Sequence, residues 1–191
     1  MTAQPTGHLM WSPDPIKQRY ARYTIEDVLR LPDDAPRAEL HDGVMRVVPS
    51  PTYDHQDVAG LLWLWLRRHA PREFRASQAT GVAVSVDTTY EPDVLLVDAD
   101  IDGSRHYAKP DQVTLVVEVV SPGTKKRDRM ENPVEYAAAG IPHFWRIEQD
   151  PLHVLAYDLV DGQYQLAAES DRELVVTKPF EIRLPIADIT P

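Results

Sequence analysis

The sequence contains no cysteine. Disulfides, thiolate metal sites and cysteine nucleophiles are therefore excluded. No apolar run approaches the ~20 residues that a membrane helix needs, so no membrane partner is expected. The opening MTAQPTGHLMWSPDP has no charged head leading into an apolar stretch. It does not read as a signal peptide, and a cytoplasmic address is the default expectation. A glycine-rich phosphate loop is also missing. Ser121 lacks the flanking glycines of a nucleophile elbow. His41 and His55 stand too far apart for a helical zinc motif. There is no basic excess either. The formal net charge is -10, whereas proteins that hold DNA by counterion release usually carry a basic face. An acidic total resists aggregation and still leaves room for a local basic groove. These absences leave hard-metal carboxylate chemistry or no chemistry.

A chain of 191 residues, 43% apolar and 26% charged, suits one domain with a real core. Residues 1–19 hold Pro5, Pro13 and Pro15 and no apolar period, which reads as a flexible arm before a single domain over 20–191. Thr24 and Asp27 form a capping-box pattern that starts a short helix. The segment RAELHDGVMRVVPS alternates around Asp42-Gly43, which predicts strands over about 37–41 and 44–48. Between Pro51 and Pro71, the spacing of Val58, Leu61, Leu62, Trp65 and Leu66 predicts a helix. Strands are expected at 81–86, 92–97 and 113–121. A helix follows over about 127–139, ended by Gly140. Further strands are expected at 143–148, 153–159 and 163–169, with Asp161-Gly162 turning the last pair. The fold class is α/β (α+β), with helices flanking a mixed central sheet.

Two acids stand where a core strand disfavours them. Glu118 lies inside TLVVEVVS, a run that otherwise reads as buried on both faces. An ionised carboxylate there is costly unless paired or bound to metal. Asp93 opens PDVLLV directly after Pro92. On neighbouring strands the two could point to one spot and hold Mg²⁺ or Mn²⁺, which prefer hard oxygen ligands. A bound cation could polarise a phosphate and acidify a water. A solvated or arginine-paired acid is the plainer alternative for each.

The order Glu91-Pro92-Asp93, Val117-Glu118-Val119-Val120-Ser121-Pro122, Asp128-Arg129 and Tyr136 through Trp145 resembles the Uma2 family of inferred endonucleases, a branch of the PD-(D/E)XK nuclease superfamily. Glu39-Leu40-His41-Asp42-Gly43, Pro49-Ser50-Pro51 and His55-Gln56 match that family's opening. The resemblance covers roughly residues 22–190. It implies a restriction-endonuclease-like fold and metal-dependent hydrolysis of a DNA phosphodiester. It implies Asp93 and Glu118 as metal ligands, with Glu39 as a third acid and the carbonyl of Val119 as a further ligand.

The chain departs from this pattern at the lysine. The superfamily position holds Val120, and the alternative position on the following helix holds Asn132. Asn can place a water by hydrogen bonding but supplies no charge. Lys125 and Lys126 could swing a charge towards the phosphate, and read equally as solvated loop lysines. His55 and Gln56 are candidates for substrate contact, with His55 also readable as a structural residue at a helix start. Arg67, Arg68, Arg72 and Arg75 form either a phosphate patch or an ordinary basic helix end. Tyr136 and Trp145 read as core anchors. Two functions follow: a Mg²⁺-dependent DNA endonuclease, or a silenced nuclease fold that binds or regulates, with a homodimer left open.

Overall fold

The computed structural model describes residues 11–20, 22–48 and 50–191. Residues 1–10 of the expected arm, and Pro49 of the family-like opening, lie outside them. Within the remainder of that arm Pro15–Tyr20 forms helix α1, so the proline-rich opening is not wholly irregular. Pro15 is its first residue, where a missing N–H costs nothing.

In chain order the elements continue with α2 (Ile25–Leu29), β1 (Ala38–His41), β2 (Val44–Val47), α3 (Tyr53–His69), β3 (Phe74–Gln78), β4 (Gly81–Ser85) and β5 (Thr88–Tyr90). Next come β6 (Val94–Asp98), β7 (Tyr107–Ala108), β8 (Val113–Val119), a π-helical turn (Arg127–Glu131) and α4 (Asn132–Ala138). The chain ends with β9 (His143–Gln149), β10 (Leu152–Val160), β11 (Gln163–Ser170), β12 (Glu173–Val176), β13 (Ile182–Pro185) and a 3₁₀ turn (Ile186–Ile189). The residues divide into two compact units: Met1–Pro49 with Ser85–Tyr90, and Ser50–Val84 with Glu91–Pro191.

In the first unit, Asp27 accepts the Thr24 N–H at 2.9 Å, which starts α2 as the capping pattern predicts. β1 and β2 pair antiparallel around Asp42-Gly43. Both turn residues have positive φ, 48° and 74°, as a two-residue primed turn requires. Gly43 is demanded twice, because a Cβ there would lie 2.4 Å from Arg22 Cβ. β5 joins the other side of β1 at Leu40↔Thr89. Tyr23, Ala38, Leu40 and Met45 make a small core beneath.

The second unit is built on a six-stranded sheet in the order β11-β10-β9-β8-β6-β3. β8 and β9 run parallel; the other neighbours are antiparallel. Strand alternation sends Leu115, Val117 and Val119 of β8 to one face, where α3 buries Val58, Leu62, Trp65 and Leu66 in the same cluster. The 3₁₀ turn and the β12–β13 hairpin close that side with Leu174, Ile182, Leu184, Ile186 and Ile189. Val116 and Glu118 point to the opposite face. There Phe144, the partner of Val116 in β9, lies 6.1 Å from the Tyr136 ring of α4. The mixed sheet flanked by helices is the architecture expected from the sequence. The strands β3, β5, β7, β12 and β13 are additional to those that the sequence pattern predicts. They are two to five residues long, too short for a period-2 pattern to stand out from its surroundings.

Candidate functional site

The site lies in the second unit, where β6 begins and β8 ends. Val94 pairs with Val117, so one further residue of antiparallel register sets Asp93 opposite Glu118. Asp93 Oδ2 accepts the backbone N–H of Val119 at 2.8 Å. His55 Nε2 stands 3.2 Å from the same oxygen. His55 reaches it from the first turn of α3, which Thr52 caps by accepting the His55 N–H at 3.3 Å. That cap fixes the end of the helix and with it the ring.

Glu118 is 6% exposed. Its Oε1 accepts from Asn132 Nδ2 at 2.8 Å and from the Tyr136 hydroxyl at 2.6 Å. Both donors come from the helix that crosses this face. A charged carboxylate at this depth needs such donors, because an unpaired one would cost several kcal/mol. Asn132 Oδ1 is buried without a hydrogen-bond partner. The assignment of amide nitrogen and oxygen follows from Glu118, an acceptor that takes the NH₂ side.

Asp128 is the third acid of the cluster, and the sequence reading included it only as part of a motif. It is 3% exposed and sits in the π-helical turn before α4. Asp128, Asn132 and Tyr136 recur every fourth residue and all are buried. The wide π turn belongs to a helix that carries polar groups inward, a common association for such turns. Burial pushes the Asp128 carboxyl up to about 6, opposed by its bond to Thr124 and by the charge of Arg127, and aided by the charge of Asp93. Burial alone would lower the His55 pKa. The hydrogen bond and charge of Asp93, with the charge of Asp128 and the carbonyl of Val119, reverse that and raise it above its ordinary value. Two carboxylates, Asp93 and Asp128, therefore act on one histidine.

Other sequence candidates fall elsewhere. Lys126 donates to Glu131 at 2.8 Å with its side chain 80% exposed, so it is turned away from the carboxylates. Lys125 is exposed and lines a neighbouring cleft with Arg129 and Glu148. Gln56 is exposed beside the buried His55, because consecutive helix residues face different directions. Val120 is buried, and its N–H donates to Ile147 O at 2.8 Å. Arg67, Arg68, Arg72 and Arg75 are exposed. Glu39 lies in the first unit, buried on β1 with Oε2 3.6 Å from His41 Nε2. Its reading as a third ligand comes from the family resemblance.

Tyr136 is the residue whose role the sequence concealed. Its ring is core, as expected, but its hydroxyl is a Glu118 donor. Four-residue spacing from Asp128 through Asn132 to Tyr136 was the available signal.

Among the described residues, no three His, Asp or Glu side chains are grouped so as to enclose a metal ion. The donor chemistry nonetheless fits a hard cation. Asp93 and Glu118 are oxygen donors set opposite each other, and Asn132 Oδ1 is an acceptor beside them with nothing to accept.

A model of the Uma2 family, described as "Putative restriction endonuclease", matches residues 25–187. A crystal structure described as "a putative nuclease belonging to DUF820" from Anabaena variabilis has a similar fold, with a TM-score of 0.66 and 19% identity. The match covers 87% of this chain and 97% of that one. At that identity the likeness concerns the fold. No curated protein matches the chain.

Proposed function

The chain belongs to the Uma2 family, and from that premise we propose that it is a nuclease that hydrolyses DNA phosphodiesters with a divalent metal held by Asp93, Glu118 and the carbonyl of Val119. The observation that carries this reading is the placement of Asp93 opposite Glu118, with Glu118 buried yet supplied with two donors. A fold gains nothing in stability from such an acid that an apolar residue would not give more cheaply.

Mg²⁺ or Mn²⁺ bound there would polarise the scissile phosphate and lower the pKa of a water. The protein's own groups do the rest. The Val119 N–H and His55 hold Asp93 in one orientation. Asn132 and Tyr136 hold Glu118. Asn132 Oδ1 accepts a hydrogen bond from the attacking water and orients it. When protonated, His55 brings to Asp93 a positive charge of the kind that Val120 and Asn132 lack.

The test is cleavage of supercoiled plasmid by the full chain with Mg²⁺ or Mn²⁺. Nicking is expected, with loss in EDTA and in Asp93→Ala and Glu118→Ala. Undiminished nicking by both variants would exclude this site.

A second reading, a silenced nuclease fold that still binds nucleic acid, is favoured by one observation. Both lysine positions are filled by buried residues, Val120 and Asn132. It predicts metal binding by calorimetry without cleavage under any metal.

A further inference from the structure

Beside the carboxylates lies a second charged group with different chemistry. Arg146 of β9 is the register partner of Glu118, so it stands one strand away on the same face. Two residues further along β9, Glu148 meets two guanidinium groups. Arg129 donates to it through two nitrogens, at 2.9 and 2.7 Å. Arg146 Nε lies 3.1 Å from Glu148 Oε1, yet the pair lacks hydrogen-bond alignment, and that buried nitrogen has no hydrogen-bond partner. The Arg146 side chain is 19% exposed and its guanidinium lies 5.8 Å from the Tyr157 ring centre, which holds it in place.

Two cations thus share one carboxylate, and one of them keeps a buried Nε with no hydrogen-bond partner. Burial alone would raise the Glu148 pKa, but the hydrogen bonds and charge of Arg129, with the charges of Arg146 and Lys125, carry it below its ordinary value. Glu148 is an ionised counterion. Arg146 lines a cleft of about 480 Å³ together with Arg129 and Glu148. Arg129 and Glu148, without Arg146, also line a second cleft of about 380 Å³ with Thr52, Val120 and Lys125. Val120 follows the Glu118-Val119 segment directly, so the cleft borders the carboxylate site. Asp54 and Asp150 also line it, and both are exposed. The cleft is therefore no cation well by total charge. What distinguishes the group is a half-buried arginine whose Nε has no hydrogen-bond partner next to a forked arginine, the arrangement that matches a tetrahedral phosphate.

We propose that Arg129 and Arg146 form a phosphate clamp for the nucleic-acid strand next to the bond that is cut, with Glu148 as the internal anion that occupies the clamp until a backbone phosphate displaces it. This rests on the nuclease reading of the neighbouring site. It also answers how a chain with net charge -10 holds a polyanion: through a local pair of arginines whose charge is masked at rest.

The test uses the full chain in an Asp93→Asn background and a fluorescein-labelled DNA duplex, followed by anisotropy across a salt series. Glu148→Gln is expected to tighten binding by about three- to tenfold, because the competing anion is removed. Arg146→Gln is expected to weaken it by about tenfold and to reduce the salt slope by about one, since one phosphate contact is lost. Arg129→Gln should do the same. A merely structural role for these arginines would leave the slope unchanged, and circular dichroism checks that each variant is folded. If wild type cuts DNA but the Arg146→Gln and Glu148→Gln variants bind as their parent does, the clamp is wrong and the nuclease reading stands. If the parent binds no DNA at any salt and wild type does not cut, both fall together.

Discussion

Asn132 donates its side-chain amide to Glu118 across 2.8 Å, and both residues are almost wholly buried. The family-like position for a lysine therefore holds a neutral donor in contact with a buried acid. An ammonium would serve the same hydrogen bond and add a positive charge near the phosphate. Asn132 supplies the hydrogen bond without the charge.

Asn132→Lys is accordingly expected to raise plasmid cleavage in Mg²⁺ by about tenfold or more, the scale of a single well-placed electrostatic donor. Initial nicking rates of variant and wild type measure this. A rate equal to wild type would mean that charge at this position is not what limits turnover. Asn132→Leu would leave Glu118 with a lost donor and should destabilise the fold by about 1–3 kcal/mol in urea unfolding.

Tyr136→Phe isolates the other donor. The ring stays in its 0% exposed position and only the hydroxyl at 2.6 Å from Glu118 is removed. Bonds to charged groups contribute about 1.5–3 kcal/mol. A loss of that order is expected, measured by urea unfolding. Loss below about 0.5 kcal/mol would show that water replaces the hydroxyl freely.

Asp128 predicts a pH dependence. Its ordinary pKa is 3.8 and its folded value is about 6. Below about pH 4 the carboxyl is protonated folded or unfolded, and burial costs nothing. Between about pH 4 and 6 the unfolded chain ionises while the folded one does not, so stability falls as pH rises, by on the order of 3 kcal/mol. Asp128→Asn removes that component. In EDTA, the stability of the variant relative to wild type should rise from pH 4 to pH 7. A flat difference across this range would place the titration elsewhere.

His55 contributes with the opposite origin. Its raised pKa makes the charged ring part of the folded state, so its stabilisation is complete below the ordinary 6.5 and is lost as pH rises through the folded value. A proton NMR titration of His55 should give a midpoint above 6.5, and Asp93→Asn should lower it, because burial is then less opposed.

Lys126→Ala serves as the contrast. Its ammonium is paired with Glu131 at the surface, and exposed pairs contribute at most about 1 kcal/mol. Cleavage is expected to be unchanged. A large fall in rate would bring the lysine back as the missing charge.

The alternation around Asp42-Gly43, the helical spacing from Val58 to Leu66 and the apolar run of β8 were legible in the sequence because each expresses a local rule. Turn conformation, helix period and strand burial depend on neighbours in the chain. Both Asp-Gly turns take positive φ as that chemistry demands. Glu118 was legible for the same reason, as a charge interrupting an apolar strand. Asp93 was legible through its place after Pro92 at the start of an apolar run and through family likeness.

What the sequence could not settle was partnership. His55 and Asp93 are separated by 38 positions in the chain, yet their polar atoms stand 3.2 Å apart. Arg129 and Glu148 meet across a helix, a turn and a strand. Lysines close to the motif in sequence turned outward, while a tyrosine taken for core filler reached the acid. By itself the sequence determined where the longer elements of the central sheet and the helix α3 lie and which strand carries an anomalous acid. Only the tertiary structure decided which groups satisfy that charge, because desolvation and hydrogen bonding depend on distances that the order of residues does not contain.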